Sequence, residues 1–193
     1  MDLKNKNIGF AITGSFCTFS KIIPVLEELK LLGANIFPVF SESVQTMNTR
    51  FTRAADFMEK VRQITGNSPI TTIMEAEPIG PKNLLDILVI APCTGNTLAK
   101  IANGINDTPV TMACKSNLRN LKPIVIGIST NDGLGVNAKN IGILLGMKHI
   151  YFVPFMQDDP SEKCNSLVSK MDLIVPTVID ALKGFQIQPI LLS

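Results

Sequence analysis

Short apolar runs alternate with helical patterns along this chain, and this alternation restricts the possible folds more than any other feature. The first run is continuously apolar, as expected of a strand that is covered on both faces. Strands separated by helices form βαβ units and hence a parallel sheet. We therefore predict one α/β domain over residues 1–193, a three-layer α/β/α fold with a Rossmann-like (flavodoxin-like) parallel sheet. Its strands are predicted at 8–12, 35–40, 87–91, 123–128 and 150–153.

Two regions of the chain are predicted to be helical beyond the simple alternation. A helical segment outside the regular alternation covers about 42–81. Within it, Ser68 followed by Pro69 predicts a short helix that ends at Ala76. The C-terminal third predicts an amphipathic helix over roughly 166–185, with Pro176 as an interruption.

Composition excludes several classes of function. The formal charge of +2 is nearly neutral and includes no block of Lys and Arg, so nucleic acid is not an expected partner. The first apolar run is too short to span a membrane and lacks the flanks of a secretory signal, which predicts a cytoplasmic protein. The four cysteines form no C-x-x-C pair and have no histidine at ligand spacing, so no metal site is predicted.

Three loops rich in small polar residues follow predicted strands, at 13–15, 93–97 and 129–132. In open α/β sheets ligands bind beyond the carboxyl ends of the strands, and helix starts suit phosphate groups. None of the loops contains the lysine of a nucleotide-hydrolysing phosphate loop or the G-x-G-x-x-G pattern of a dinucleotide site, so a mononucleotide phosphate fits best. Each loop taken alone is also ordinary turn chemistry, and the prediction of a binding edge depends on all three.

A specific resemblance begins at residues 91–107, APCTGNTLAKIANGIND, which is similar to the Pro-Ala-Ser-Ala-Asn-Thr segment of the homo-oligomeric flavoproteins. That family includes phosphopantothenoylcysteine decarboxylase, peptidyl-cysteine decarboxylases and flavin prenyltransferases. The opening IGFAITGS at 8–15 resembles the family's first strand and phosphate loop, and the likeness extends to about residue 128. The resemblance implies FMN as the cofactor and assembly as a trimer or a multiple of trimers.

The resemblance also implies roles for particular residues. Gly14 and Ser15 would hold the FMN phosphate, and Ser41, Ser129 and Asn131 would add to the cofactor site. Ser41 also fits the role of an ordinary N-cap.

The segment after the third strand carries the closest match to the family motif. Thr94, Asn96 and Thr97 correspond to its flavin-contacting positions, with capping of the next helix as the alternative role.

Other strings narrow the resemblance to the flavoprotein-like subunits of the dipicolinic acid-forming enzymes of spore-forming bacteria. This narrower likeness implies oxidation of a dihydrodipicolinate-type precursor in the mother cell, beside a dehydrogenase-like partner subunit that uses NAD(P). Arg50 and Arg53 are the predicted ligands of the small dicarboxylate, because guanidinium groups bind carboxylates through two hydrogen bonds. The strings are NTRF at 48–51, AEPIGP at 76–81, ISTND at 128–132, PFMQDDP at 154–160, KMD at 170–172 and QPIL at 188–191.

The chain departs from the decarboxylases of that family, and no catalytic residue is predicted. The segment after the second strand has no histidine, and the only histidine, His149, precedes a late strand. The Pro-x-Met-Asn-x-x-Met substrate clamp is missing as well. Two alternatives remain open: a non-redox assembly or substrate-binding subunit, and a stand-alone flavin-dependent decarboxylase or prenyltransferase.

Overall fold

Five parallel strands form the centre of the computed structural model, which describes residues 3–192. The strands are β1 (Asn7–Ile12), β2 (Asn35–Phe40), β3 (Ile87–Cys93), β4 (Ile124–Thr130), β5 (Ile150–Phe152), β6 (Phe155–Asp159) and β7 (Lys163–Ser169). The spatial order of the five parallel strands is β2-β1-β3-β4-β5. The antiparallel hairpin of β6 and β7 completes a seven-stranded mixed sheet, because β7 pairs with β4 at Ser129 and Thr130, beyond the short β5.

Helices cover both faces of this sheet. Single turns of 3-10 helix at Phe16–Thr18, Glu77–Ile79 and Met171–Leu173 accompany them. The helices are α1 (Phe19–Leu31), α2 (Glu42–Thr46), α3 (Ala54–Thr65), α4 (Ile73–Ala76), α5 (Gly95–Ala102), α6 (Pro109–Arg119), α7 (Ala138–Leu145) and α8 (Ile174–Ala181).

The side chains of β3 show why the fold has three layers. Ile87 and Val89 belong to the apolar cluster under α1, α3 and α8, whereas Leu88 and Ile90 belong to the cluster under α5, α6 and α7. Successive side chains of a strand point to opposite faces, so a continuously apolar strand needs helices on both sides. The predicted α/β/α layering and the parallel core of the sheet are confirmed.

The predicted helix at 68–76 is wrong over its first half. Ile70 instead forms a parallel bridge with Val39 at the open edge of β2, and its N–H donates to the carbonyl of Pro38. An unpaired strand edge offers such backbone partners, which outweigh the local preference of Ser-Pro for a helix start. The helix α4 begins only after Thr72, where Thr72 and Glu75 form a capping box.

The predicted C-terminal helix is also corrected. Residues up to Ser169 belong to β7, which is paired with β4 and β6, so the helix is confined to Ile174–Ala181. Pro176 does not interrupt it, because it is the third residue of α8, where the backbone N–H has no partner within a helix. None of the helices within residues 3–192 combines the length and apolar character needed to cross a membrane.

Candidate functional site

A cavity of about 890 Å³ lies at the carboxyl ends of β1, β3 and β4. All three loops predicted to form a binding edge contribute to its wall, and the β6–β7 hairpin supplies a fourth side. The strand-end rule therefore places the loops together as expected. Seven predicted site residues line the cavity: Gly14, Ser15, Arg50, Thr94, Asn96, Ser129 and Asn131.

One end of the cavity carries a cluster of three hydroxyl groups. Ser15 Oγ lies 2.6 Å from Ser129 Oγ and 3.3 Å from Thr18 Oγ1, and the last two oxygens are 3.1 Å apart. Ser15 precedes the 3-10 turn, Thr18 ends it, and Ser129 comes from β4. We call these three residues the hydroxyl cluster. Each hydroxyl can donate as well as accept a hydrogen bond, so the cluster can turn its protons towards an anion.

The loops after β1 and β3 are tied to each other. Thr13 Oγ1 donates to the carbonyl of Pro92 at 2.7 Å and accepts from the backbone N–H of Thr94 at 3.0 Å. These two bonds hold the loops at a fixed spacing. At Gly14 an added Cβ would come within 2.7 Å of Ser43 Oγ, so the start of α2 packs closely against the first loop.

The other end of the cavity is built around a carboxylate. Asp132 accepts hydrogen bonds from Thr130 Oγ1 and, at 2.9 Å, from Asn137 Nδ2, and Asn140 Nδ2 supports the amide of Asn137 at 2.8 Å. The hydrogen bond from Thr130, followed by that from Asn137, lowers the pKa of Asp132 below its usual value. We call Thr130, Asp132 and Asn137 the acid network.

The acid network lies directly against the start of α5. A Cβ added to Gly95 would come within 2.4 Å of Asn137 Nδ2, 2.6 Å of Thr130 Oγ1 and 2.7 Å of Asp132 Oδ1. The positive end of α5 therefore already faces a protein carboxylate, which leaves this end unsuited to a second anion such as phosphate.

Three cations reach the cavity from three different elements. Lys21 lies in the first turn of α1, Arg50 in the segment between α2 and α3, and Lys163 at the start of β7. The guanidinium of Arg50 stacks on the ring of Phe51, 4.8 Å from its centroid. Lys163 Nζ lies 2.7 Å from Asp158 Oδ2, whereas neither Lys21 nor Arg50 pairs with an acid anywhere in the described chain.

Three predicted site residues do not line the cavity. Thr97 is buried, and its backbone N–H donates to Thr94 Oγ1 while its hydroxyl contacts the same atom, so it takes part in the cap that Thr94 forms for α5. Ser41 precedes α2, and its hydroxyl lies 3.0 Å from Ser43 Oγ, so Ser43 rather than Ser41 is the residue next to Gly14. Arg53 is exposed at the start of α3, outside the cavity wall. The direct roles predicted for these three residues find no support in the geometry.

Sequence reasoning missed several residues of the site. Thr18 and Lys21 follow the first loop within one to two helical turns, and this spacing was the available signal for them. Asp158 lines the cavity and pairs with Lys163, whereas its neighbour Asp159 accepts from the turn amides of Ser161 and Glu162. No sequence pattern indicated that Lys163 belongs to the site, because the β6–β7 hairpin that places it there was not predicted.

The only histidine is placed far from these groups. His149 lies just before β5, at the amino ends of the parallel strands, with a positive φ of 65°. Cys93 is fully buried, and burial raises the pKa of its thiol, so it packs in the core rather than acting as a nucleophile. The described lining of the cavity thus offers hydroxyls, amides, cations, two carboxylates and the exposed thiol of Cys17, and it includes no histidine.

Comparison with known proteins identifies the relatives of this chain. The family model described as Flavoprotein matches residues 1–183. The B subunit of dipicolinate synthase from Bacillus subtilis (strain 168) is 50% identical over 191 residues, which are 99% of this chain and 96% of the relative.

Solved structures agree with this result. The B subunit of dipicolinate synthase from Bacillus halodurans C superposes with a TM-score of 0.92 at 46% identity, covering 100% of this chain and 99% of that one. DmrB of Burkholderia xenovorans, solved in complex with FMN, has a TM-score of 0.70 at 17% identity, covering 93% and 96%. The last likeness is one of fold alone.

Proposed function

This chain belongs to the flavoprotein family, and from that membership we propose that it is the FMN-binding subunit of a two-subunit dipicolinate synthase. The reaction would be oxidation of a dihydrodipicolinate-type precursor to dipicolinic acid, in the mother cell of a sporulating bacterium. The partner would be the other, dehydrogenase-like subunit of dipicolinate synthase, which uses NAD(P). The name of the relative at 50% identity supports the pathway, and the observation that carries the cofactor is the hydroxyl cluster at one end of the cavity.

The hydroxyl cluster fits the phosphate of FMN better than any other part of the site. Its three oxygens, on Ser15, Thr18 and Ser129, come from two strand-end loops and lie within 3.3 Å of one another. Gly14 lines the cavity beside Ser15. Lys21, one turn further along α1, adds a positive charge at the same end.

The remainder of the cavity would hold the ring of the cofactor and the substrate. Asn96, at the start of α5, is exposed on the cavity wall and presents an amide that can donate and accept hydrogen bonds. FMN, when bound, supplies an acceptor for two electrons, as the dihydropyridine ring loses a hydride and a proton to become aromatic. Asp132 would keep a negative charge near the start of α5, where it can orient donors of the substrate.

The proposal is tested with FMN and riboflavin, which differ only in the phosphate. An absorbance spectrum of freshly purified protein should show flavin bands. After the bound flavin is removed, a fluorescence titration should give an affinity for FMN at least tenfold above that for riboflavin, because the phosphate makes charge-assisted hydrogen bonds. Colourless protein that does not change the fluorescence of either flavin would contradict the cofactor assignment. Equal affinities for FMN and riboflavin would contradict the phosphate assignment.

A second candidate function is a non-redox subunit that binds substrate and supports the dehydrogenase-like partner. One observation favours it: the hydroxyls of Ser15 and Ser129 already hydrogen-bond each other at 2.6 Å, so the cluster is satisfied without a ligand. Under this alternative the two-subunit enzyme should retain full activity in a Ser15→Ala, Asn96→Ala variant and after flavin has been removed. Loss of activity that returns on adding FMN to the parent enzyme would rule it out.

A further inference from the structure

Two of the three cavity cations carry no competing acid within the described chain, and the third carries one that can be displaced. Lys163 Nζ is bonded to Asp158 Oδ2 at 2.7 Å, with 57% of the lysine side chain and 39% of the aspartate side chain exposed. Exposed ion pairs of this kind are weak, so a stronger anionic ligand can take the place of the aspartate. Lys163 is therefore a partly exposed cation of the cavity wall whose ion pair a ligand can replace.

Lys163 shares the cavity with the loop that bears the hydroxyl cluster. Both Lys163 and Cys17, which belongs to the 3-10 turn after β1, line the cavity. The hydrogen bond and charge of Asp158 raise the pKa of Lys163, so its ammonium group keeps its positive charge.

A dicarboxylate needs two separate cationic contacts, and the structure limits the choice. Lys21 lies one turn beyond Thr18 and is taken by the phosphate end of the cavity. Arg53 is outside the cavity wall, which leaves Arg50 and Lys163. They come from different elements, the segment after α2 and the start of β7, so each can hold one end of a rigid diacid.

We propose that Arg50 and Lys163 bind the two carboxylates of a pyridine-2,6-dicarboxylate-type ligand, and that Asp158 is displaced from Lys163 as the ligand enters. The proposal rests on the proposed function for the identity of the diacid. Displacement of Asp158 costs the diacid part of its affinity, whereas a monoacid held by Arg50 alone leaves the Lys163–Asp158 pair intact.

The test compares two ligands on variants of the FMN-loaded protein. Pyridine-2,6-dicarboxylate and pyridine-2-carboxylate are titrated by calorimetry into the parent, Lys163→Gln, Asp158→Asn and Lys170→Gln. Lys170 is the matched control, because its side chain is 54% exposed, it pairs with Asp172 at 3.8 Å, and it lies outside the cavity. The flavin absorbance of every sample is recorded first.

Lys163→Gln should weaken the diacid about tenfold and the monoacid less than twofold, since one charge-assisted contact is lost only for the diacid. Asp158→Asn should tighten the diacid roughly two- to fivefold, and Lys170→Gln should change neither ligand. Equal losses for both ligands in Lys163→Gln, an unchanged diacid affinity, or a parent that does not prefer the diacid would overturn the proposal. Absence of flavin bands would count against the cofactor assignment instead, and the same titrations on flavin-free protein would still decide the role of Lys163.

Discussion

The two ends of the cavity are built from the same kind of strand-end loop, yet they suit opposite charges. One end gathers hydroxyls from Ser15, Thr18 and Ser129, and the other surrounds the carboxylate of Asp132. Ser129 and Thr130 are successive residues of β4, but they belong to different ends because side chains alternate along a strand. The topology of the sheet thus decides where a ligand binds, and a single side chain in each loop decides the charge that it meets.

The two ends differ in what their groups contact rather than in burial. Thr18 and Ser129 are 4% and 9% exposed, whereas Asp132 is only partly buried. The acid network packs against Gly95 at the start of α5, while the hydroxyl cluster bonds mainly within itself at the cavity wall. Substitutions at the two ends should separate stability from binding.

Replacement of Gly95 by alanine should have the largest effect. The new methyl group would lie 2.4 to 2.7 Å from three polar atoms of the acid network, so the network must shift or lose hydrogen bonds. We expect the free energy of unfolding to fall by about 1–3 kcal/mol in urea denaturation. Gly142→Ala is the matched control, because its Cβ meets nothing within 4 Å, and alanine at this helical position should stabilise the protein by about 0.5–1 kcal/mol. Equal stability of the two variants would show that the acid end is not rigid.

Replacement of Asp132 by asparagine should lower the free energy of unfolding by about 1–2 kcal/mol at pH 7, because the hydrogen bonds from Thr130 and Asn137 lose their charged acceptor. Asp180→Asn, which removes an exposed acid paired with Lys183 at 3.1 Å, should cost no more than about 0.5 kcal/mol. The comparison is made by urea denaturation of both variants.

The comparison of the parent with Asp132→Asn also predicts a pH dependence. The pKa of Asp132 is lowered in the folded protein, so its contribution is complete above the ordinary aspartate pKa and is lost as the pH falls through the lowered value. The stability difference between parent and Asp132→Asn should therefore be constant from pH 7 to about pH 5 and shrink below about pH 4. A difference that grows on acidification would contradict the role of the carboxylate as a hydrogen-bond acceptor.

Much of the fold and part of the site could be predicted from the sequence. The five parallel strands follow from apolar runs that local pattern alone reveals, and Gly14 and Ser15 lie where the strand-end rule places them. The β6–β7 hairpin could not be predicted in this way, because β7 owes its conformation to pairing with β4 and β6.

The negative charge at the acid end could not be predicted from the sequence either. Asp132 was grouped with small polar turn residues, and only its contact with Gly95 shows that it occupies the start of α5. That contact joins residues 37 positions apart in the chain, and nothing in their local patterns implies it. Local sequence patterns can therefore locate the cavity, but the long-range contacts that decide which ligand it binds become visible only in the structure.

Replacement of Ser129 by alanine tests the hydroxyl end. Ser129 contacts both Ser15 and Thr18, so its loss should weaken FMN binding about five- to tenfold while the affinity for riboflavin stays the same. The cost in folding stability should be about 1 kcal/mol or less, because the two remaining hydroxyls still contact each other. Ser20→Ala, an exposed serine of α1 outside the cavity, is the control for both measurements. Equal weakening of FMN and riboflavin would place the phosphate elsewhere.

Replacement of Thr97 by valine should have the smallest effect, and it distinguishes capping from cofactor contact. Valine keeps the shape of the buried side chain, and Thr94 Oγ1 still accepts from the backbone N–H of residue 97, so only one hydroxyl contact of 3.1 Å is lost. We expect a loss of about 0.5 kcal/mol or less in urea denaturation and an FMN affinity within roughly twofold of the parent. Thr94→Ala should cost about 1 kcal/mol, because it removes the N-cap of α5 itself. A Thr97→Val protein that folds normally but binds FMN tenfold more weakly would mean that the cofactor reaches past the start of α5, and the division of the cavity into an anion-binding end and an acid end would then have to be abandoned.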